Sequence, residues 1–403
     1  MKTPLQPLMT IADKASPPVQ LEGLPLLRLG FRPFYLGAAL LACLVVPLWV
    51  AVFLGGFVLQ LRVSPMLWHA HEMLFGFAGG VIVGFLLTAV KAWTGLPTPR
   101  GVQLGALVLI WLAARLAALL APYPLYVVLD MLWLPAAAAV LLRVLILAGN
   151  RRNIPLISLL LGMALANLMF HLSVLGVVQV SALSALHAQL ALILIVLSVM
   201  AGRVVPMFTQ NVTPGLVIKL SRRFELAVLS VTALALALWV VTAPTWLVLP
   251  ASMAAAVLHA LRLHRWQPQV TLKRPILWIL HASYAWLPVG FALLSLSQAG
   301  WVSPSLAVHA MGVGVIGGFI IGMITRTARG HTGRLLQASR AEVTAYTLVM
   351  AAALVRVLAP ALQPGWSVAA MEVAAGLWSL AFAIYLWIYV PWLMQSRVDG
   401  KDG

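Results

Sequence analysis

His71-Glu-Met-Leu-Phe-Gly-Phe-Ala-Gly-Gly-Val-Ile-Val-Gly-Phe-Leu-Leu-Thr-Ala-Val-Lys-Ala92 is the stretch that decides the fold. Between Glu72 and Lys91 it carries no charge, and its apolar residues run on without alternating. About 20 such residues in a helix cross the hydrocarbon core of a bilayer. A barrel strand would be shorter and would alternate.

Working outward, the same reading applies twelve times in the 403 residues. The first half gives spans at about 34–56, 72–92, 102–121, 124–148, 154–177 and 182–202. The second half gives about 224–243, 245–262, 275–297, 303–325, 342–360 and 368–394. Composition agrees: 63% of residues are apolar and 9% charged, with a mean hydropathy of +1.02. A soluble domain carries about 25% charged residues, so a cytosolic enzyme, a disordered chain and a coiled coil are excluded. The lone Cys43 excludes a disulfide framework and any cysteine-based iron–sulfur or zinc site. The expected fold class is all-α: a polytopic membrane protein of 12 transmembrane helices in three four-helix repeats. Residues 1–30 are expected as a cytoplasmic segment without a cleaved signal, 31–396 as one transmembrane domain and 397–403 as a cytoplasmic tail. Asp130 and Glu372 fall inside spans and are expected in the interior.

The net charge of +17 would ordinarily suggest a nucleic-acid partner. Its distribution says otherwise. Of the 26 Lys and Arg, 22 fall in the N-terminal segment, the loops after the even-numbered spans and the tail. Arg62 alone falls in the opposite loops, and Arg115, Arg143 and Arg356 lie within spans. This is a positive-inside pattern. It expects a lipid bilayer as the environment, both termini in the cytoplasm and no nucleic acid as partner.

That topology assigns a depth to each of the nine histidines. His69, His71, His187, His309 and His171 all fall in the outer half of the membrane, on four different spans. A single intramembrane histidine often just bonds a neighbouring helix. Five at one depth form a functional hypothesis, since ionisable residues there are costly. Neutral imidazole suits copper, iron and zinc and serves as a haem axial ligand; proton relay is the competing use. His69 and His71 are two residues apart and point in nearly opposite directions on a regular helix. They serve two centres, or share one if the helix starts only after His71.

Spans two and ten resemble each other. Residues 71–84 and 309–322 share seven of fourteen positions without gaps, including the histidine, Met73/Met311 and five further matches. Gly76, Gly80 and Gly84, like Gly314, Gly318 and Gly322, line one helix face. Such a stripe allows close helix packing or admits a flat macrocycle. His187 opens span six in a weaker third echo, which gives the three-repeat expectation.

On the cytoplasmic side, Pro206 is expected to break the helix after span six. Arg203, Arg326, Arg329 and His331 are either positive-inside flanks or, beside Gly330 and Gly333, arginine forks for an anionic group. Trp93, Trp266, Trp278, Tyr385, Trp387 and Tyr389 read as interfacial anchors.

Leu29-Gly-Phe-Arg-Pro-Phe34, Trp68-His-Ala-His-Glu-Met73, Thr94-Gly-Leu-Pro97, Arg203…Pro206…Phe208-Thr209…Asn211 and Thr325-Arg326…Gly330-His331-Thr332-Gly333-Arg334 resemble the NnrS family. The resemblance covers about residues 25–395. It implies a bacterial inner-membrane protein containing haem and copper, of the nitric oxide response and denitrification, with nitric oxide as ligand and an electron donor as partner. Whether nitric oxide is sensed, sequestered or turned over by an oxidoreductase stays open. The layout is also similar to the catalytic subunit of haem–copper oxidases, without its His-His pair in span seven or its tyrosine in span six. On this reading His69, His71, His187 and His309, then His171, are the metal candidates. Arg203, Arg326, Arg329 and His331 are cofactor-binding candidates, and Glu72 supports a ligating histidine. The rival is a secondary transporter of a small solute with no metal cofactor.

Overall fold

The computed structural model describes residues 23–402. Most of the expected N-terminal segment, including Lys2 and Lys14, lies outside the described residues. Among the described residues, twelve helices are long and apolar enough to cross a membrane and there is no strand. The chain is a multi-pass membrane protein.

Three helices form the centre. Over an apolar stretch of 18 residues in each, spans two (Pro65–Thr94), six (Ala182–Val212) and ten (Pro304–His331) are 72%, 67% and 72% buried. Span nine (Pro275–Gln298) follows at 61%, and the other eight lie between 28% and 44%. Those eight present Leu109, Leu132, Leu161 and Leu234 outward as lipid-facing surface. Lipid gives no hydrophobic drive for helices to associate, so contact depends on close packing and small residues. The central spans hold the glycines that provide it.

Each central span starts on a serine cap. Ser64 Oγ accepts from the Leu67 N–H at 3.4 Å, Ser181 Oγ from Ser184 at 3.0 Å and Ser303 Oγ from Ser305 at 3.3 Å. In spans two and ten proline follows at once, its fixed φ suited to the first helical position. The cap moves the start of span two to Pro65, ahead of the expected 72, so His69 and His71 both lie within the helix.

The likeness of spans two and ten extends to the backbone. Glu72–Ala78 and Ala310–Gly317 are both wide π-helical turns, placed directly after the aligned histidines. Such turns insert a residue into the helical register and often sit at functional sites. Span six has no such turn. The third unit is therefore matched in position but not in backbone detail.

Four expectations need correction. The helix of span six runs through Pro206 to Val212. The proline loses one backbone bond, but Pro206 is packed in the core and Thr209 beyond it bonds His281 at 3.0 Å, so the turn is held from outside. The segment carrying Arg326, Arg329 and His331 is the last part of the span-ten helix. The turn comes at Gly333, whose φ of +78° suits glycine. Glu372 is exposed on the flank of span twelve, while Asp130 is fully buried. Trp266, Tyr385 and Tyr389 are core residues, and only Trp387 of that set is strongly exposed.

Candidate haem and metal sites

A cavity of about 550 Å3 lies at the terminus-distal end of the three central spans, with spans one, eleven and twelve completing its wall. His69, His187 and His309 line it. They are the fifth, sixth and sixth residues of spans two, six and ten, so one imidazole comes from each central helix at a matched depth. His69 stacks on Trp49 at 4.0 Å and His187 on Trp239 at 4.2 Å, which fixes both rings. The Nδ1 of His309 faces the Ser305 carbonyl at 2.7 Å. Donating there makes Nε2 the free lone pair, the arrangement that prepares a histidine for a metal. His69 Nδ1 is buried without a partner.

Met66 and Met73 line the same cavity, three residues before and four after His69. Arg356 also lines it, beside Ser305 Oγ at 3.4 Å. These residues are absent from the sequence-derived set. Arg356 had a legible signal, an arginine inside a span. The methionines had none, since a methionine in an apolar helix is ordinary.

His71 points the other way. On a helix of 3.6 residues per turn, two residues rotate the side chain by about 200°. It joins a second group between spans two, three (Val102–Leu120), four (Tyr123–Leu147) and five (Arg151–Val174). His71 Nε2 lies 3.2 Å from Asp130 Oδ2, and His171 Nε2 lies 3.0 Å from the same oxygen. Arg115 bridges Asp130 and Glu72, the latter at 2.9 Å. Glu72 also lies 3.4 Å from His71 Nδ1. The five histidines thus divide three and two. The repeat aligns His71 with His309, yet His69 is the one that shares the cavity with His309.

The glycine stripes are filled by protein. A Cβ on Gly314 would lie 2.4 Å from Trp286, on Gly318 2.3 Å from Met350 and on Gly76 2.7 Å from Leu41. Close helix packing accounts for them, and that face has no space for a macrocycle.

The family described as NnrS protein matches residues 25–397. The chain belongs to the NnrS family. Membership makes it a membrane protein of the nitric oxide response. A comparison with curated proteins returns no match.

Several residues of the NnrS-like motifs gather at the terminal face, away from the cavity. Arg32 is fully buried and donates to the carbonyls of Leu393 and Gln395 at 2.8 and 2.7 Å. His331 packs on Phe31 with ring centres 5.5 Å apart, and its carbonyl accepts from Arg397 at 3.1 Å. Arg329 is held by both Glu342 oxygens at 2.7 and 2.5 Å and by the Leu335 carbonyl. Arg326 lies over the Phe208 ring at 3.7 Å, and Arg203 donates to Asn153 at 3.2 Å. In this NnrS-family chain Arg32 and His331 tie the N-terminal part and span ten to the C-terminal segment, while Arg203, Arg326 and Arg329 brace neighbouring elements at the same face. None of Arg203, Arg326, Arg329 or His331 lines the cavity.

Proposed function

We propose that this protein holds a haem in the terminus-distal cavity and uses it to bind nitric oxide in nitric oxide tolerance or denitrification. The observation that carries the reading is one imidazole from each of three central helices on the wall of a single apolar cavity. A volume of about 550 Å3 is in the range of cofactor pockets. The orphaned His69 Nδ1 and the oriented His309 suit a metal that takes imidazole nitrogen. His309 is the residue assigned to the iron, with His187 the next donor. Arg356 is the cation for an anionic edge of the macrocycle. Met66, His69 and Met73 present soft thioethers and an imidazole on one helix face, a donor set that suits copper. Haem, when bound, would supply the affinity for nitric oxide. The protein's own contribution is orientation and dryness: Trp49 and Trp239 fix rings, and apolar side chains from six spans exclude water. Arg115, Glu72 and Asp130 act elsewhere.

Orientation belongs to the same proposal. The positive-inside distribution supports cytoplasmic termini and a cavity in the outer half, and membership of the NnrS family supports a bacterial inner membrane. A metal-free solute transporter is not favoured, because it gives no role to three imidazoles on the wall of one cavity.

The test is an absorption spectrum of detergent-purified protein from cells supplied with haem precursors and copper, reduced and oxidised, with and without nitric oxide. A Soret band that shifts with nitric oxide is expected. It is lost in His309→Ala and kept in His259→Ala, whose imidazole bonds Thr232 and Tyr284 far from the cavity. Colourless protein under those conditions would overturn the reading.

A further inference from the structure

The second histidine group has a charge imbalance that the cavity does not explain. Asp130 and Glu72 are 0% and 1% exposed, and Arg115 between them is 4% exposed. Two carboxylates against one guanidinium leave one negative charge where no water reaches. A charge removed from water without compensation is strongly disfavoured. Two imidazoles and a carboxylate oxygen converge at that place. One atom each from His71, Asp130 and His171 lie within 4.8 Å of one another. Asn167 Oδ1 adds an oxygen 2.9 Å from His71 Nε2.

The far sides of both rings are held as well. Tyr126 Oη lies 3.1 Å from His71 Nδ1, and Tyr123 Oη lies 2.9 Å from His171 Nδ1. A metal-binding histidine needs its other ring nitrogen bonded, since this fixes the ring and its tautomer. Here both rings turn Nε2 toward Asp130 and Nδ1 toward a tyrosine. Phe75 and Phe170 close the site, with ring centres 4.6 and 4.7 Å from His71.

We propose that His71, Asp130 and His171 hold one first-row transition-metal ion, separate from the cavity, with Asn167 beside it and Tyr123 and Tyr126 as positioning residues. Two nitrogens and one hard oxygen form a mixed donor set of the kind that copper(II), iron(II) and zinc(II) accept. The set has no sulfur, which separates it chemically from the methionine-flanked His69. The ion ties spans two, four and five together through one buried point. This site does not depend on a haem in the cavity.

Cobalt(II) serves as the probe, because bound cobalt reports its ligands in the visible spectrum. The full chain is purified in detergent in a His69→Ala/His187→Ala/His309→Ala background, which removes the three cavity imidazoles, then stripped with chelator and reloaded. One equivalent of cobalt by elemental analysis, with visible ligand-field bands, is the expected result. His171→Asn abolishes tight binding. Tyr123→Phe, which keeps the first donors and removes the hydroxyl behind His171, weakens it by about 10–100-fold. Size-exclusion profiles matching the background confirm folded protein. Failure of the folded background to retain cobalt would overturn the proposal and leave a proton as the compensating charge. Retention that survives His171→Asn would overturn it too, by moving the metal elsewhere. A missing Soret band in the parent protein affects neither result.

Discussion

Gly312 and Gly314 sit two residues apart in the same π-helical turn, and the same substitution at each has opposite consequences. A Cβ at Gly314 would lie 2.4, 2.6 and 2.8 Å from Cγ, Cδ2 and Cβ of Trp286. Ordinary carbon contacts are about 3.5–4.0 Å, so the indole must withdraw by about 1 Å. Its root atoms are among those struck, so rotating the ring gives little relief. Overpacking of this kind costs about 1–3 kcal/mol. At Gly312, which lines the cavity, nothing lies within 4 Å of a new Cβ. There Ala removes backbone freedom from the unfolded chain and is neutral or stabilises by up to about 1 kcal/mol. Membrane proteins commonly unfold irreversibly, so the readout is the half-life of folded protein in detergent at fixed temperature. Gly314→Ala shortens it; Gly312→Ala leaves it equal or longer. Combining Gly314→Ala with Trp286→Leu gives less loss than the two separate losses together, because the smaller side chain removes the clash. Equal half-lives for Gly312→Ala and Gly314→Ala would refute the packing account of the glycine stripe.

Three further outcomes follow from the polar contacts. Arg32→Ala frees the Leu393 and Gln395 carbonyls, so the tail after span twelve (Pro364–Leu393) is cut faster by trypsin at Arg397 and Lys401; unchanged cleavage counts against the clamp. Glu225→Ala leaves the buried Arg262 guanidinium with only Ser198 and Tyr284 as close polar partners. Breaking a buried pair costs about 3–5 kcal/mol, and the partial exposure of Glu225 places this one toward the lower end; a thermal stability equal to wild type contradicts it. Burial raises the Asp402 carboxyl's pKa, but the hydrogen bond and charge of Lys91, with Arg100 and Arg28, prevail and hold it below the ordinary value. Its folded pKa is depressed, so tail docking is supported above about pH 4 and lost as pH falls below it. The protection of residues 397–402 against hydrogen exchange, taken relative to the intrinsic rate at each pH, therefore falls below about pH 4, and protection that is constant from about pH 3 to 7 speaks against the pairing.

The twelve spans were legible because a bilayer demands long uncharged stretches, and the chain shows them one after another. The start of span two was less legible. Ser64-Pro65 is a strong start signal, but hydropathy alone placed the boundary nearer Glu72 than Pro65. Pro206 reads as a breaker because local chemistry says so, and tertiary contacts through Thr209 outweigh the one lost backbone bond. The loop reading of Arg326 to His331 failed for a related reason. Basic residues mark where a helix leaves the bilayer, yet the helix itself continues past that level.

The five histidines show where the two sources of information part. Sequence by itself placed His69, His71, His171, His187 and His309 at one depth, because depth depends only on distance along a helix from its end. It also showed that His69 and His71 point apart, since that follows from helix geometry alone. Which neighbours each side chain meets depends on how every helix is rotated about its axis and which helices flank it. Only the tertiary structure decided that His69 joins His187 and His309 while His71 joins Asp130 and His171. Arg356, Met66 and Met73 entered the cavity by the same rotation, which leaves no mark in local sequence because packing against distant spans sets it.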